Sequence, residues 1–404
     1  MRRRPRTTGV RADSGAGLLA LAVLAAAWVV GSTALAVLGI GLAVAALVAR
    51  VWAFVASRML TVERLPASVP PVEGGRLRLG VSVRGPTRLC SRLELRETVG
   101  PLGQIVIAIE HGGRAELVVD NVPRGRYRLG PGRLLARDPL GVATVERDVP
   151  PGATVLVRPR VPEIGALFTE SGARGEGGRR AHMRRPSGLE PHGVRVYIEG
   201  EPLRAVHWPT SARRGELMVR ELEDAPRDSV AIVLDVDARS VAGPAGRSSL
   251  DDAVRAVAGL VRAHAGRSRR ALLVVATPQP GIHRVQSLGR DWDAALDTLA
   301  AVEPAEGTRL RELVTARGAL GTVPELVVVT ARPEIVEDAL VARRAVGRFC
   351  ALVAVDAPTY AGREPSSASR TLLRLASAGV SIAVVRHGDR LEDALGGLRE
   401  RAVG

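Results

Sequence analysis

Ser229-Val-Ala-Ile-Val-Leu-Asp-Val-Asp237 is the stretch on which the fold turns. Five apolar residues in a row, without polar alternation, fit a strand covered on both faces, as in a parallel sheet. The carboxylates of Asp235 and Asp237 stand at its carboxyl end. Downstream the pattern alternates. Helical spacing is expected over 250–265, 292–301, 308–320, 334–346, 367–378 and 391–399, and buried strands over 271–276, 325–330, 349–355 and 380–385. Such alternation implies a doubly wound, mostly parallel α/β sheet. Ligand sites in such sheets lie beyond the carboxyl ends of the strands, which is where Asp235 and Asp237 fall.

Working upstream, residues 188–221 form a dense motif containing Arg195, Tyr197, Gly200, Glu201, Arg204, His207, Trp208 and Arg213, in a chain that is only 2% aromatic. Val194, Val196 and Ile198 alternate with Arg195, Tyr197 and Glu199, so a strand would bury the aliphatic set and present the other three together. Gly200-Glu201-Pro202 reads as a turn, after which Arg204, Val206 and Trp208 are expected to share one face. Arginine, tyrosine and tryptophan on one surface have the composition of an interface anchor. The same residues could instead form an internal latch, with Arg195, Arg204 or Arg213 paired to Glu190, Glu201 or Glu221. For His207 a hydrogen-bonded structural role is expected, not that of a general base.

The motif and the run after it resemble the bacterial membrane proteins of "domain of unknown function 58", in which such a motif leads into a von Willebrand factor A-like (Rossmann-like) domain. Gly193, Arg195, Tyr197, Gly200, Arg204, Trp208, Ser211, Ala212, Arg213 and Glu221 match the family pattern. Glu201 stands where the family usually has Asp, and Val196 replaces a usual acidic residue. A-like domains often carry a metal site built from Asp-x-Ser-x-Ser, a Thr and a further Asp. Here Asp235 matches the first ligand and Thr308 resembles the threonine. Asp237 and Arg239, however, replace the two serines, and Thr330-Ala331 offers no Asp. A guanidinium repels a hard cation, so the site reads as degenerate and no cofactor is expected, magnesium included. Arg239 is expected to stand in for the cation by pairing with Asp235 or Asp237.

Composition narrows the classes further. All 57 basic residues are arginine, which excludes a Walker A lysine, a Schiff-base lysine and a lysine base. No Gly-x-Ser-x-Gly elbow is present and the seven histidines are scattered, so no enzyme is expected. The net charge of +15 is not matched by stacking aromatics, so no nucleic-acid partner is expected. Cys90 and Cys350 are the only cysteines and fit a reducing compartment.

Residues 14–49 carry no charge. One helix of that length would reach about 54 Å against roughly 30 Å of hydrocarbon. Two spans fit better, Gly15–Val30 and Ala34–Phe54, turning at Gly31-Ser32-Thr33, with Gly39 and Gly41 allowing close approach. Arg2, Arg3, Arg4, Arg6 and Arg11 precede the run, and Arg50, Arg58 and Arg64 end it. That arrangement places both ends in the cytoplasm. The main rival is a single span with an exported domain.

Between 61 and 161, short alternating runs separated by Gly and Pro suggest a β-sandwich. The expected organisation is a basic cytoplasmic tail (1–14), a transmembrane helical hairpin (15–57), a β-sandwich (61–161), a flexible linker (162–186), the signature segment (187–224) and the A-like domain (225–404). The arginine placement implies a multi-pass inner (plasma) membrane protein with cytoplasm-facing soluble domains, no enzymatic activity is expected, and the resemblance implies its role. It would work in assembly or envelope functions with a MoxR-type AAA+ ATPase, and homo-oligomerisation is left open. The alternative is an extracellular, metal-dependent adhesion-like module.

Overall fold

The computed structural model describes residues 15–65, 70–110, 112–165, 167, 191–196, 206–222, 230–267, 269–315, 320–321, 323–366 and 369–396, with backbone alone at 191–196 and 219–222. The chain is mixed α/β with several sheets, and it divides into two compact units, 1–160 and 161–404.

The first unit opens with two apolar helices, α1 (Gly15–Val30) and α2 (Thr33–Met59). The chain turns at Gly31, whose φ of 68° an L side chain rarely adopts, and the Ser32 side chain caps α2 by accepting from Leu35 N. α2 is long and apolar enough to cross a membrane, with a mean hydropathy of 2.3, whereas α1 has only 16 residues. It also runs five residues beyond the expected end at Phe54, because nothing in Val55-Ala-Ser-Arg-Met59 breaks a helix. Gly39 lets the helices meet. A Cβ there would lie 2.7 Å from Leu24 Cγ, while one at Gly41 would meet nothing within 4 Å. The expectation that both glycines serve the contact is therefore corrected to Gly39 alone.

Eight strands follow: β1 (Thr61–Leu65), β2 (Leu77–Arg84), β3 (Arg92–Val99), β4 (Gln104–Ile109), β5 (Arg114–Val119), β6 (Gly125–Arg137), β7 (Thr144–Val149) and β8 (Thr154–Val157). They form one antiparallel sheet of order β1-β2-β5 and another of order β4-β3-β6-β7, with β8 pairing the first part of β6. The sheets share a core in which Val81 and Val83 of β2 meet Leu93 and Leu95 of β3 and Leu134 of β6. Tyr127 is fully buried, its hydroxyl donating to Pro123 O at 2.7 Å. The foot of α2 is fixed to this unit by Arg147 of β7, which donates to Ser57 O and Leu60 O, both at 2.7 Å.

In the second unit β9 (Pro191–Val196), α3 (Trp208–Arg214) and β10 (Met218–Leu222) precede β11 (Val230–Leu234). After β11 come α4 (Ser249–Ala265), β12 (Ala271–Val275), β13 (Ile282–Val285), α5 (Arg290–Ala300), α6 (Leu310–Thr315), β14 (Glu325–Thr330), α7 (Glu337–Ala345), β15 (Phe349–Val355), α8 (Arg370–Ser377), β16 (Ser381–Val385) and α9 (Leu391–Leu395). The six-stranded sheet has the order β13-β12-β11-β14-β15-β16, with β13 alone antiparallel. Successive residues of each strand feed opposite faces. Ile232, Leu273, Val327 and Val353 pack beneath α4, α5 and α9. Ala231, Val274, Val328 and Leu352 pack beneath α6, α7 and α8. Ile164 and Leu167, which the sequence reading assigns to the linker, are buried in the first of these cores. The cause is local: Pro162 and Ile164 pack against Gly259 of α4, where a Cβ would approach Pro162 Cγ to 2.7 Å.

Candidate functional site

Sequence order reverses direction in the sheet between β11 and β14, so the chain leaves both strands toward their helices on opposite sides and opens a crevice there. Asp235 and Asp237 follow β11; Thr330 and Arg332 belong to the end of β14 and the turn after it. Thr330 Oγ1 donates to Asp235 Oδ2 at 2.7 Å, and Asp237 N donates to Asp235 Oδ1 at 3.1 Å. Asp235 is thereby a fixed, buried strut between the two strand ends.

Asp237 is 1% exposed and is the electrostatic centre of the crevice. Its Oδ1 accepts from Arg239 N at 2.9 Å and Arg239 Nε at 3.1 Å. Its Oδ2 accepts from Arg239 Nη2 at 2.8 Å, from Thr308 Oγ1 at 3.3 Å and from Arg332 Nη2. The Arg239 hydrogen bond, with help from Arg332, outweighs burial and holds the carboxyl well below the usual carboxylate range. Asp237 is therefore an anion whose lone pairs are already taken by two guanidinium groups and a hydroxyl. The expected pairing of Arg239 is present, but it is not alone. Arg239 is mostly exposed, whereas Arg332, which the sequence reading overlooked, is largely enclosed, with a side-chain exposure of 20%. Thr308 serves Asp237 and not Asp235. Among the described residues no group of three or more His, Cys, Asp or Glu is arranged to hold a metal ion.

The strand expected in the signature segment is present as far as Val196, and the departure from expectation comes after it, at Trp208. β9 and β10 pair antiparallel, with Arg195 opposite Val219 and Gly193 opposite Glu221. Between them α3 starts at Trp208, carries Pro209 in its first turn and stops at Gly215, which has a φ of 72°. Ser211 ties helix to strand, donating to His207 O at 3.0 Å and accepting from Met218 N at 2.8 Å. His207 N donates to Met218 O at 2.7 Å, and its Nδ1 lies 2.7 Å from Thr210 Oγ1. Val206 is buried while Trp208 is 61% exposed. The two do not share a face, because the chain turns into a helix at Trp208. Arg213 is exposed on the last turn of α3. Tyr197, Gly200, Glu201 and Arg204 lie outside the described residues, as do residues 1–14, and the side chain of Arg195 is also beyond them.

The segment and the crevice thus fall within one contiguous stretch of chain, the stretch that also compares with known proteins. No curated protein matches the chain. A family model does: the one described as "Protein of unknown function DUF58" matches residues 193–332, a range that begins within β9 and ends on Arg332, the arginine that closes the crevice.

Proposed function

We propose that this chain is a membrane-anchored, non-enzymatic assembly protein that docks a partner through its signature segment. In this reading α1 and α2 form a hairpin across the inner (plasma) membrane with the soluble units in the cytoplasm. The eight strands form a β-sandwich, and the six-stranded unit is a von Willebrand A-like domain whose metal chemistry has been replaced by fixed ion pairs. The observation that carries the proposal is the pinning of Asp237 by Arg239 and Arg332. The two guanidinium groups already bonded to the carboxylate together supply the charge a divalent ion would supply, but offer no open coordination position to a ligand. A domain with that edge closed is left with its surface to work with. Among the described residues of the signature segment Trp208 is the most exposed large apolar side chain, ahead of Leu217, and its exposure favours docking over an internal latch.

The partner implied by the family resemblance is a MoxR-type AAA+ ATPase. Truncating an interface tryptophan costs about 2 kcal/mol, roughly a thirtyfold loss of affinity. Trp208→Ala should therefore weaken capture of the cognate ATPase by the full-length protein to that extent, with the melting temperature unchanged. A folded Trp208→Ala protein that binds the ATPase normally would rule this surface out. A magnesium-dependent rise in the wild-type melting temperature, reversed by a chelator, would instead restore the metal reading.

A further inference from the structure

The foot of α2 and a turn of the β unit enclose an apolar groove. Leu47, Val48, Val51, Trp52, Val55, Ala56 and Met59 line one side and Leu89 the other. Trp52 Nε1 donates to Leu89 O at 3.0 Å, which fixes the turn at the level of Trp52 along the helix. The level cannot slide, since Arg147 holds the last turn of α2 to β7.

The depth of that level follows from the helix. The Arg50 guanidinium lies against Gly17, near the start of α1, so the charge-free part of α2 runs from Thr33 to about Arg50. That stretch rises about 27 Å, close to the roughly 30 Å of bilayer hydrocarbon. Trp52 lies only about 3 Å further along the axis, at the depth where interfacial tryptophans belong. Leu89, hydrogen-bonded to it, must lie there as well. Exposed Arg88 is next to Leu89 in the chain and exposed Arg58, whose guanidinium sits over the Phe54 ring at 4.9 Å, is next to Met59, so each cation adjoins a residue of the carbon-lined groove. Carbon on the inside with arginine at the rim matches the amphiphilic chemistry of an anionic phospholipid.

We infer that the groove between α2 and Leu89 holds an acyl chain of an anionic phospholipid, whose phosphate is met by Arg58 and Arg88, and that the turn 87–89 is embedded in the bilayer interface. This rests on the membrane-spanning reading of α2. It makes the first unit a body seated in the lipid surface and not merely tethered to it.

Both native cysteines are buried, so a single introduced thiol can be labelled with an environment-sensitive fluorophore in the full chain, reconstituted in vesicles. Leu89→Cys is the main site, and Met59→Cys is a second site on the same groove should the first fail to fold. Ile40→Cys reports the middle of the charge-free stretch of α2, and exposed Val346 supplies a reference in the second unit through Val346→Cys. Nitroxide placed shallow on the acyl chains of phosphatidylglycerol should quench the groove labels, and their emission should be shifted to the blue of the Val346→Cys label. Groove labels as wet and unquenched as the reference, with Ile40→Cys quenched by nitroxide placed deep on the acyl chains, would overturn the inference while leaving the membrane span intact. A water-exposed Ile40→Cys label would remove the span, and the inference with it. Equal groove quenching in purely zwitterionic vesicles would refute the choice of an anionic lipid.

Discussion

Acid should loosen the second unit through one residue, His264. It lies in the last turn of α4 and is fully buried. Arg269 Nη1 is 3.1 Å from its Nδ1, and a guanidinium can only donate, so the neutral ring carries its proton on Nε2. Burial, and then the charges of Arg269 and Arg267, push the ring from 6.5 down to about 3. The unfolded chain binds a proton near 6.5 and the folded one does not until about 3. The unfolded state is therefore favoured progressively as pH falls through that window, and the residue has no effect above it. At about 1.4 kcal/mol per unit, the loss two units below the upper limit is on the order of 3 kcal/mol. His264→Asn keeps an acceptor for Arg269 and removes the titration. With Trp28, Trp52 and Trp208 changed to Phe, Trp292, which packs against the same core, reports urea unfolding of this unit. The variant should lose less stability than the parent between neutral pH and about pH 4.5, by the amount of one proton. Parallel pH dependence of the two proteins would refute the reasoning.

Arg332→Ala removes the more enclosed of the two cations on Asp237 and should cost about 1–3 kcal/mol, a larger loss than Arg239→Ala, by thermal melting of each variant. If the exposed Arg239 proves the more costly, the assignment of Arg332 as the main counter-charge is wrong. Gly39→Val should lower the melting temperature of the detergent-solubilised protein, because the new side chain meets Leu24, whereas Gly41→Val should leave it nearly unchanged. Similar behaviour of the two would contradict the helix contact described above.

The parallel strands could be read from sequence because burial on both faces leaves an uninterrupted apolar run, as in Val230–Leu234 and Glu325–Thr330 with its four apolar residues. β7 is different. Thr144-Val-Glu-Arg-Asp-Val149 has two apolar residues in six, and its strand character comes from pairing with β6, which no local pattern reveals. The helix at Trp208 did leave a signal, since Pro209 and Gly215 punctuate its start and stop, but the alternation upstream of it suggested a strand. Asp235 and Asp237 were legible as the site because they end a strand. Arg332 was not, because it reaches Asp237 from a turn 95 residues away and only the sheet order brings the two together. A search for the missing acid of a metal site looks at that turn for a carboxylate and passes over the opposite charge.

The short antiparallel strand β13 bears on solubility. β11 and β14 are buried at every position, and five- and six-residue runs of that kind adhere readily to one another when an edge is left open. β13 closes the free edge of β12 with only four residues, Ile282-His-Arg-Val285, of which His283 and Arg284 are polar. Pro280 and Gly281 precede it and keep it from lengthening. What this strand offers a neighbouring molecule is a short ladder bearing a positive charge. At this edge β11 is thereby kept two strands away from intermolecular pairing.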